Sequence, residues 1–176
     1  MPRNIQQTLL KFDNYTAKVT QLKEVLSNID SITINKSEDG KWSIGQICYH
    51  LYMSESGTLQ YIQKRIKEGK VTKTTGFNNF FNNTLLAIAL KVPIKYKAPK
   101  AVSEVPPKVD IKELMHAWEE QNEAFRDTIR NLPKSLADKE IFNHPIAGKF
   151  NIDQTINFII EHYDHHLPQI KNLLKP

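Results

Sequence analysis

Three of the six histidines in this chain occupy positions on predicted helices from which their rings could meet, whereas the other three do not. His162 and His166 are four residues apart, so on a helix they lie on one face, one turn from each other. Two such imidazoles can bind one metal ion, and His50 from a neighbouring helix would complete a set of three nitrogen ligands. We expect His116 and His165 to face solvent. The spacing alone is a weak signal, because an HxxxH pattern also arises among surface histidines.

Three imidazole ligands would leave coordination positions open on a divalent ion, which is typical of catalytic rather than structural sites. An open position can lower the pKa of a bound thiol or water and so generate a nucleophile at neutral pH. No protein nucleophile is then needed. The single cysteine, Cys48, lies about 200° around the helix from His50, on the apolar stripe, and we interpret it as a small buried hydrophobic residue.

Small side chains beside His50 predict a pocket wall on the second helix. Ser54, Gly57 and Tyr61 share the helix flank of His50, and their arrangement leaves room for a ligand. Close packing of the core is the alternative use of that space. Glu55 falls on the opposite flank, which makes it a weak ligand candidate.

Two further polar residues could contact the metal site from the last helix and the loop before it. Gln169 follows on the histidine flank, where it could contact a ligand or one of the histidines. His144 precedes the helix, and a hydrogen bond that fixes this loop is the alternative to a catalytic role. Pro168 lies inside the helix and should bend it, because proline has no amide hydrogen to donate.

Four segments with helical periodicity must position these residues. They run from about Ile5 to Leu26, from Ser43 to Glu68, from Ile111 to Asn131 and from Ile152 to Leu174. Ser43 with Gln46, and Asp110 with Glu113, have the spacing of capping boxes. Between the first two helices, residues 31–42 predict a β-like or irregular connection.

Residues 70–109 do not fit the bundle pattern, and we interpret them as a long crossover between the second and third helices. Residues 77–90 could form a short helix, and four prolines after it keep the chain extended. Four helices with one long crossover predict an all-α four-helix bundle, and residues 1–176 are expected to form one domain.

The composition predicts a cytoplasmic protein. The chain has one cysteine, which excludes an internal disulfide and suits a reducing compartment. No stretch approaches the roughly 18 apolar residues that would span a bilayer, and the first residues have no apolar run typical of a signal peptide. We therefore expect neither a membrane anchor nor secretion.

The net charge of +5 raises the question of nucleic-acid binding. The basic residues concentrate in residues 64–73 and 91–100. Nucleic-acid binders usually interleave such charge with stacking aromatic residues or a recognisable motif, and here only Tyr96 interleaves. We interpret the two stretches as a solvated basic face and expect no nucleic-acid partner.

Two stretches of the sequence resemble the signatures of the DinB-like superfamily. The first, residues 42–51 (WSIGQICYHL), has a tryptophan-serine start that leads to a histidine on a helix. The second has a His-Pro loop at residues 144–145, a glycine-containing turn at 148–150, and a helix with His162, His166 and Gln169 in an HxxxHxxQI pattern. The two stretches stand in the expected order near the two ends of the chain.

The resemblance implies a bundle of up-down-down-up topology, often dimeric, with one divalent metal ion on His50, His162 and His166. Imidazole ligands suit several metals, of which zinc and nickel are the first candidates. Relatives include enzymes that transfer a low-molecular-weight thiol to a small electrophile through a metal-bound thiolate, so a thiol, an electrophile and a second copy of the chain are the implied partners. Two alternatives stay open. One is a metal-dependent hydrolase, and the other is a non-catalytic metal-binding or ligand-binding protein of the stress response.

Overall fold

The computed structural model describes residues 5–37, 40–69, 71, 104–144 and 148–175. Their regular structure consists of α-helices, one short 3-10 turn and one small hairpin, which confirms the predicted all-α fold. The helices are α1 (Ile5–Ser27), α2 (Ser31–Asn35), α3 (Ile44–Lys67), α4 (Ile111–Arg130) and α5 (Ile152–Leu173); the 3-10 turn is Lys134–Leu136, and the strands are β1 (Phe142–His144) and β2 (Gly148–Phe150).

Polar side chains at the helix ends fix where the long helices begin. Ser43 accepts from the amide of Gln46 at 3.2 Å, and the Gln46 side chain accepts from the Ser43 amide at 3.0 Å. Asn151 and Gln154 form the same capping box at the start of α5. These bonds satisfy amides that the helix itself leaves without partners. The end of α3 is followed by Gly69, whose φ of 64° suits glycine.

Helix α2 occupies residues 31–35 of the connection that the sequence predicts as β-like or irregular, while residues 36–37 and 40–42 are irregular as predicted. Asp30 accepts from the amides of Ile32 and Thr33, both at 2.9 Å, and from the Thr33 hydroxyl at 2.7 Å. This cap starts one helical turn although the β-branched residues that follow favour a strand. The turn ends at Asn35, whose side chain bonds both the amide and the carbonyl of Val109, at 2.7 and 3.1 Å.

Helices α1 and α3 each pack against both α4 and α5. Each helix contributes an apolar stripe to one core. Its largest fully buried side chains are Trp118, Tyr15, Tyr163, Phe12, Phe125 and Phe150. The core is therefore rich in aromatic rings, which bury more apolar area per residue than aliphatic side chains do.

Polar contacts between the helices give their relative directions. Helix α1 runs parallel to α5 and antiparallel to α4, as four ion pairs show: Lys11–Asp153 (2.8 Å), Lys18–Asp164 (2.9 Å), Arg126–Asp13 (2.7 Å) and Lys23–Glu119 (2.6 Å). The contacts of Glu55 with Trp118 and of Gln63 with Thr128 place α3 parallel to α4. These directions fit an up-down-down-up order. As a complete topology that order stays a prediction, because most of the connection between α3 and α4 lies outside the described residues.

A short antiparallel hairpin precedes α5, in the turn-rich link that the sequence indicates between the last two long helices. Phe142 pairs with Phe150, and His144 pairs with Gly148. Both phenylalanines are buried, so the hairpin is held by its apolar face as well as by its backbone hydrogen bonds. It delivers the chain directly to Asn151 and the start of α5.

Most of the predicted crossover lies outside the described residues, including the short helix expected at 77–90 and the basic stretch at 91–100. The chain is described again from Glu104, and the Gln46 side chain donates to the carbonyl of Pro106 at 3.1 Å. Of the helices in the described ranges, none combines the length and apolar character that a membrane crossing requires.

Candidate metal centre

The structure brings together the three histidines that the sequence singles out. His50 on α3 is 5% exposed, while His162 and His166 on α5 are partly buried. The Nε2 atoms of His50 and His162 are 3.1 Å apart. One ring nitrogen from each of the three residues lies within 4.8 Å of the other two. The i, i+4 spacing on α5 and the docking of α3 against α5 together create this convergence.

The geometry and protonation of the cluster fit a transition-metal ion. With zinc–nitrogen bonds of about 2.0–2.1 Å, two nitrogens of a tetrahedral site lie about 3.3 Å apart, close to the His50–His162 separation. Burial and the neighbouring histidines hold the pKa of His162 well below its usual range. The pKa of His166 is lowered to about 4, and burial is the main cause. The two imidazoles are therefore neutral at pH 7, which is the form that binds metals.

The side chain of Gln169 contacts the ring of His166. The Nδ1 atom of His166 lies 3.1 Å from Oε1 of Gln169, one helical turn further along α5. With the amide in this orientation the Gln169 oxygen accepts from Nδ1–H, and this tautomer has its lone pair on Nε2. Such contacts fix the tautomer and ring direction of ligand histidines in metalloproteins.

Two aromatic residues that the sequence did not indicate as site residues cover the histidines. Trp42 packs on His50 with ring centroids 4.9 Å apart. Phe158 stacks on His162 at 5.6 Å, with only 10° between the ring planes. Phe158 precedes His162 by four residues, so the spacing 158–162–166 was an available signal for a continuous row along α5. Both rings limit the directions that the imidazoles can take.

His144 and His165 lie close to the cluster without belonging to it. The ring of His144 is 4.6 Å from that of Phe158, and burial lowers its pKa to about 4. The expectation that His165 faces solvent was wrong, because His165 is partly buried with its ring 4.9 Å from the ring of His166. Three residues turn a helix by about 300°, which leaves His165 only about 60° from His162. His116 is exposed, as expected.

The residues of the predicted pocket wall occupy different environments. Ser54 is partly buried, and its carbonyl accepts from the hydroxyl of Thr58 at 2.8 Å. Tyr61 is partly buried with its ring edge-on to Phe142 at 5.6 Å. Gly57 is exposed, and a Cβ atom there would meet no described atom within 4 Å. The space beside Gly57 is therefore open in the described part of the chain, while the pocket itself stays a prediction.

Cys48 and Glu55 take no part in the histidine cluster. Cys48 is fully buried, and burial raises the pKa of its thiol to about 12, so it has the apolar role that the sequence predicts. Glu55 is 3% exposed, which the flank position assigned from the sequence did not indicate. Its carboxylate oxygens contact Tyr15 and Trp118 instead of a histidine.

Comparison with known proteins yields one family. Neither the curated proteins nor the solved structures contain a match to this chain. The sequence model of the DinB superfamily matches residues 15–170, which include all four long helices in whole or in part and each histidine of the cluster. Because this match covers most of the sequence and agrees with the helical fold, the chain belongs to the DinB superfamily.

Proposed function

We propose that this protein is a metal-dependent enzyme that transfers a low-molecular-weight thiol to a small electrophile. The observation that carries the proposal is the convergence of His50, His162 and His166, with one ring nitrogen from each within 4.8 Å of the others. Membership of the DinB superfamily supports the metal-binding part of the proposal. No carboxylate or thiolate belongs to this group of the described residues, so the proposed ligand set consists of three imidazole nitrogens.

The three histidines would hold one divalent transition-metal ion, with zinc or nickel as the first candidates. Bound there, such an ion would lower the pKa of a thiol or water molecule that coordinates to it. The chain's own residues orient and shield the site. Gln169 fixes the tautomer of His166, Trp42 covers His50, and Phe158 supports His162.

In the proposed reaction the thiol loses its proton and its sulfur forms a bond to the electrophilic carbon of the second substrate. The bond from that carbon to its leaving group breaks, and the leaving group departs with the electron pair of that bond. The products are a thioether and the protonated leaving group. Cys48 does not supply the sulfur, because its thiol is fully buried on the core face of α3 and its pKa is raised to about 12.

Metal analysis with two matched variants tests the site. The protein should be purified without a nickel column, and its metal content should be measured by mass spectrometry. We expect about one equivalent in the parent protein and a loss of most of it in His162→Asn. His165→Asn is the control, since it makes the same change on the same helix outside the ligand group. Equal metal content in both variants would contradict the assignment of His162.

Turnover then separates the proposed transferase from its alternatives. Parent protein and His162→Asn should be assayed with a panel of low-molecular-weight thiols and a chlorinated aromatic electrophile. We expect thioether formation that requires both the metal and the thiol. Release of the leaving group without any thiol would instead indicate a hydrolase. Stoichiometric metal with no turnover across the panel would favour the non-catalytic metal-binding alternative.

A further inference from the structure

A buried carboxyl group lies in the core of the bundle, away from the histidine cluster. Glu55 on α3 is 3% exposed. The Tyr15 hydroxyl on α1 donates to its Oε1 atom, and the indole nitrogen of Trp118 on α4 donates to Oε2 at 3.0 Å. Tyr15 and Trp118 are both 1% exposed or less. One acidic side chain therefore joins three helices through donors that are equally buried.

The groups around Glu55 are polar but neutral. Tyr15 also meets the ring of Tyr163 on α5, edge-on at 5.5 Å. The other titratable side chains buried on α3 are Cys48 and His50. Within the described ranges no lysine, arginine or histidine forms an ion pair with Glu55. A carboxylate here would be a buried negative charge with two hydrogen bonds and no cation, which is costly.

Burial raises the pKa of Glu55 from 4.5 to about 8 and outweighs the two hydrogen bonds, which act in the opposite direction. Over this interval the folded protein retains a proton that the unfolded chain has already lost. The free energy of unfolding therefore falls as the pH rises from 4.5 to about 8, and it stays constant with respect to this group above that range.

We propose that Glu55 is a proton-linked clasp, which joins α1, α3 and α4 most firmly when its carboxyl group is neutral and weakens the bundle when it ionises. The neutral carboxyl group keeps an oxygen for the indole of Trp118 and needs no cation. The ionised group keeps the same neighbours but adds an uncompensated charge to the aromatic core. This clasp does not depend on the proposed enzymatic activity, because Glu55 lies outside the histidine cluster.

Glu55→Gln tests the clasp, because glutamine has the shape of the neutral carboxyl group and cannot ionise. Its carbonyl can accept from Trp118, and its amide can donate to the oxygen of Tyr15. Denaturant unfolding of the full chain should be followed from pH 5 to pH 9 for the parent and the variant, both treated with chelator. We expect the parent's unfolding equilibrium constant to increase at least about tenfold, relative to the variant, between pH 5 and pH 8.

The control is Glu24→Gln, which changes an exposed glutamate on α1. It should follow the parent at every pH. Parallel curves for the parent and Glu55→Gln would overturn the proposal.

A spectroscopic measurement on the parent keeps the test decisive if Glu55→Gln does not fold. In protein labelled with ¹³C in its glutamate carboxyl groups, the resonance of Glu55 should be assigned by through-bond correlation. We expect this carbon to have the chemical shift of a neutral carboxylic acid at pH 6 and to titrate near pH 8. A carboxylate shift at pH 6 would overturn the proposal without any comparison of stabilities.

Discussion

The rings of Phe158 and His162 are nearly parallel, with centroids 5.6 Å apart and 10° between their planes. Phe158 is buried, and its ring centroid is 6.4 Å from that of Phe142. The imidazole of His162 therefore stacks beside an aromatic ring that is itself buried in the core. A rigid support of this kind keeps a ligand nitrogen aimed at one point even before a metal ion binds.

Phe158→Leu should weaken metal binding about tenfold by removing this stacked ring, in addition to reducing stability. The stability loss should be roughly 1–2 kcal/mol, as for other large core substitutions that keep most of the volume. Phe125→Leu is the matched control, because Phe125 is buried against Phe12 at 5.2 Å. Competition titrations with a chromophoric chelator should show weaker binding in the first variant alone. Equal affinities would show that the stacking does not orient His162.

Gln169→Leu should reduce metal affinity by about 10–100-fold, because it removes the acceptor for Nδ1 of His166. Gln169→Glu should retain most of the affinity, since a carboxylate oxygen accepts the same hydrogen bond. Nitrogen-15 spectra of the metal-free protein provide a second measurement. We expect His166 to carry its hydrogen on Nδ1 in the parent, and to populate both tautomers in Gln169→Leu. An unchanged His166 tautomer in Gln169→Leu would contradict the proposal that Gln169 fixes this tautomer.

His144→Phe should make the protein less sensitive to mild acid. Burial lowers the pKa of His144 to about 4, so the unfolded chain takes up a proton near pH 6.5 while the folded protein does not. The free energy of unfolding therefore falls as the pH decreases from 6.5 to about 4. Phenylalanine should fit beside Phe158, and because it cannot take up a proton, it should remove this part of the loss of stability in acid. Thermal unfolding of the parent and of His144→Phe from pH 7 to pH 4.5 measures this difference in acid sensitivity. His116→Phe, at an exposed position, is the control.

Gly57 allows a test of the predicted pocket wall. Gly57→Ala should raise the free energy of unfolding by about 0.5–1 kcal/mol, because alanine favours the helix and its methyl group meets no described atom within 4 Å. Gly57→Phe should retain the metal but raise KM or abolish turnover, if substrates bind beside this residue. Turnover by the phenylalanine variant equal to that of the alanine variant would place the substrate elsewhere.

The long helices could be predicted from the sequence because their signals are local. The Ser43–Gln46 box and Gly69 lie at the two ends of α3, and the predicted limits of the long helices agree with the structure to within two residues. Helix α2 could not be predicted in this way. The β-branched residues Ile32, Thr33 and Ile34 favour a strand, whereas the hydrogen bonds that Asp30 accepts stabilise a helical turn.

The histidine cluster could be predicted only in part, because its supports depend on packing between elements. Spacing placed His162 and His166 on one face, whereas the contact of Trp42 with His50 follows from the tertiary fold. Glu55 was missed despite a usable signal. It stands seven residues after Cys48 and seven before Ile62, so it occupies a position on the apolar stripe of α3. An acidic residue on such a stripe should be considered as a buried carboxyl group.

The arrangement of α1 has a consequence for how the chain is made. Its main partners are α4 and α5, and its hydrogen bonds to them join residues 96 to 146 positions apart in sequence. At a synthesis rate of 5–20 residues per second, α1 waits roughly 5–30 s for the partners that cover its apolar stripe. During that interval Phe12 and Tyr15 lack Phe125 and Tyr163, the rings against which they pack in the folded protein. Nascent chains should therefore engage chaperones at α1, and chains truncated before α5 should aggregate.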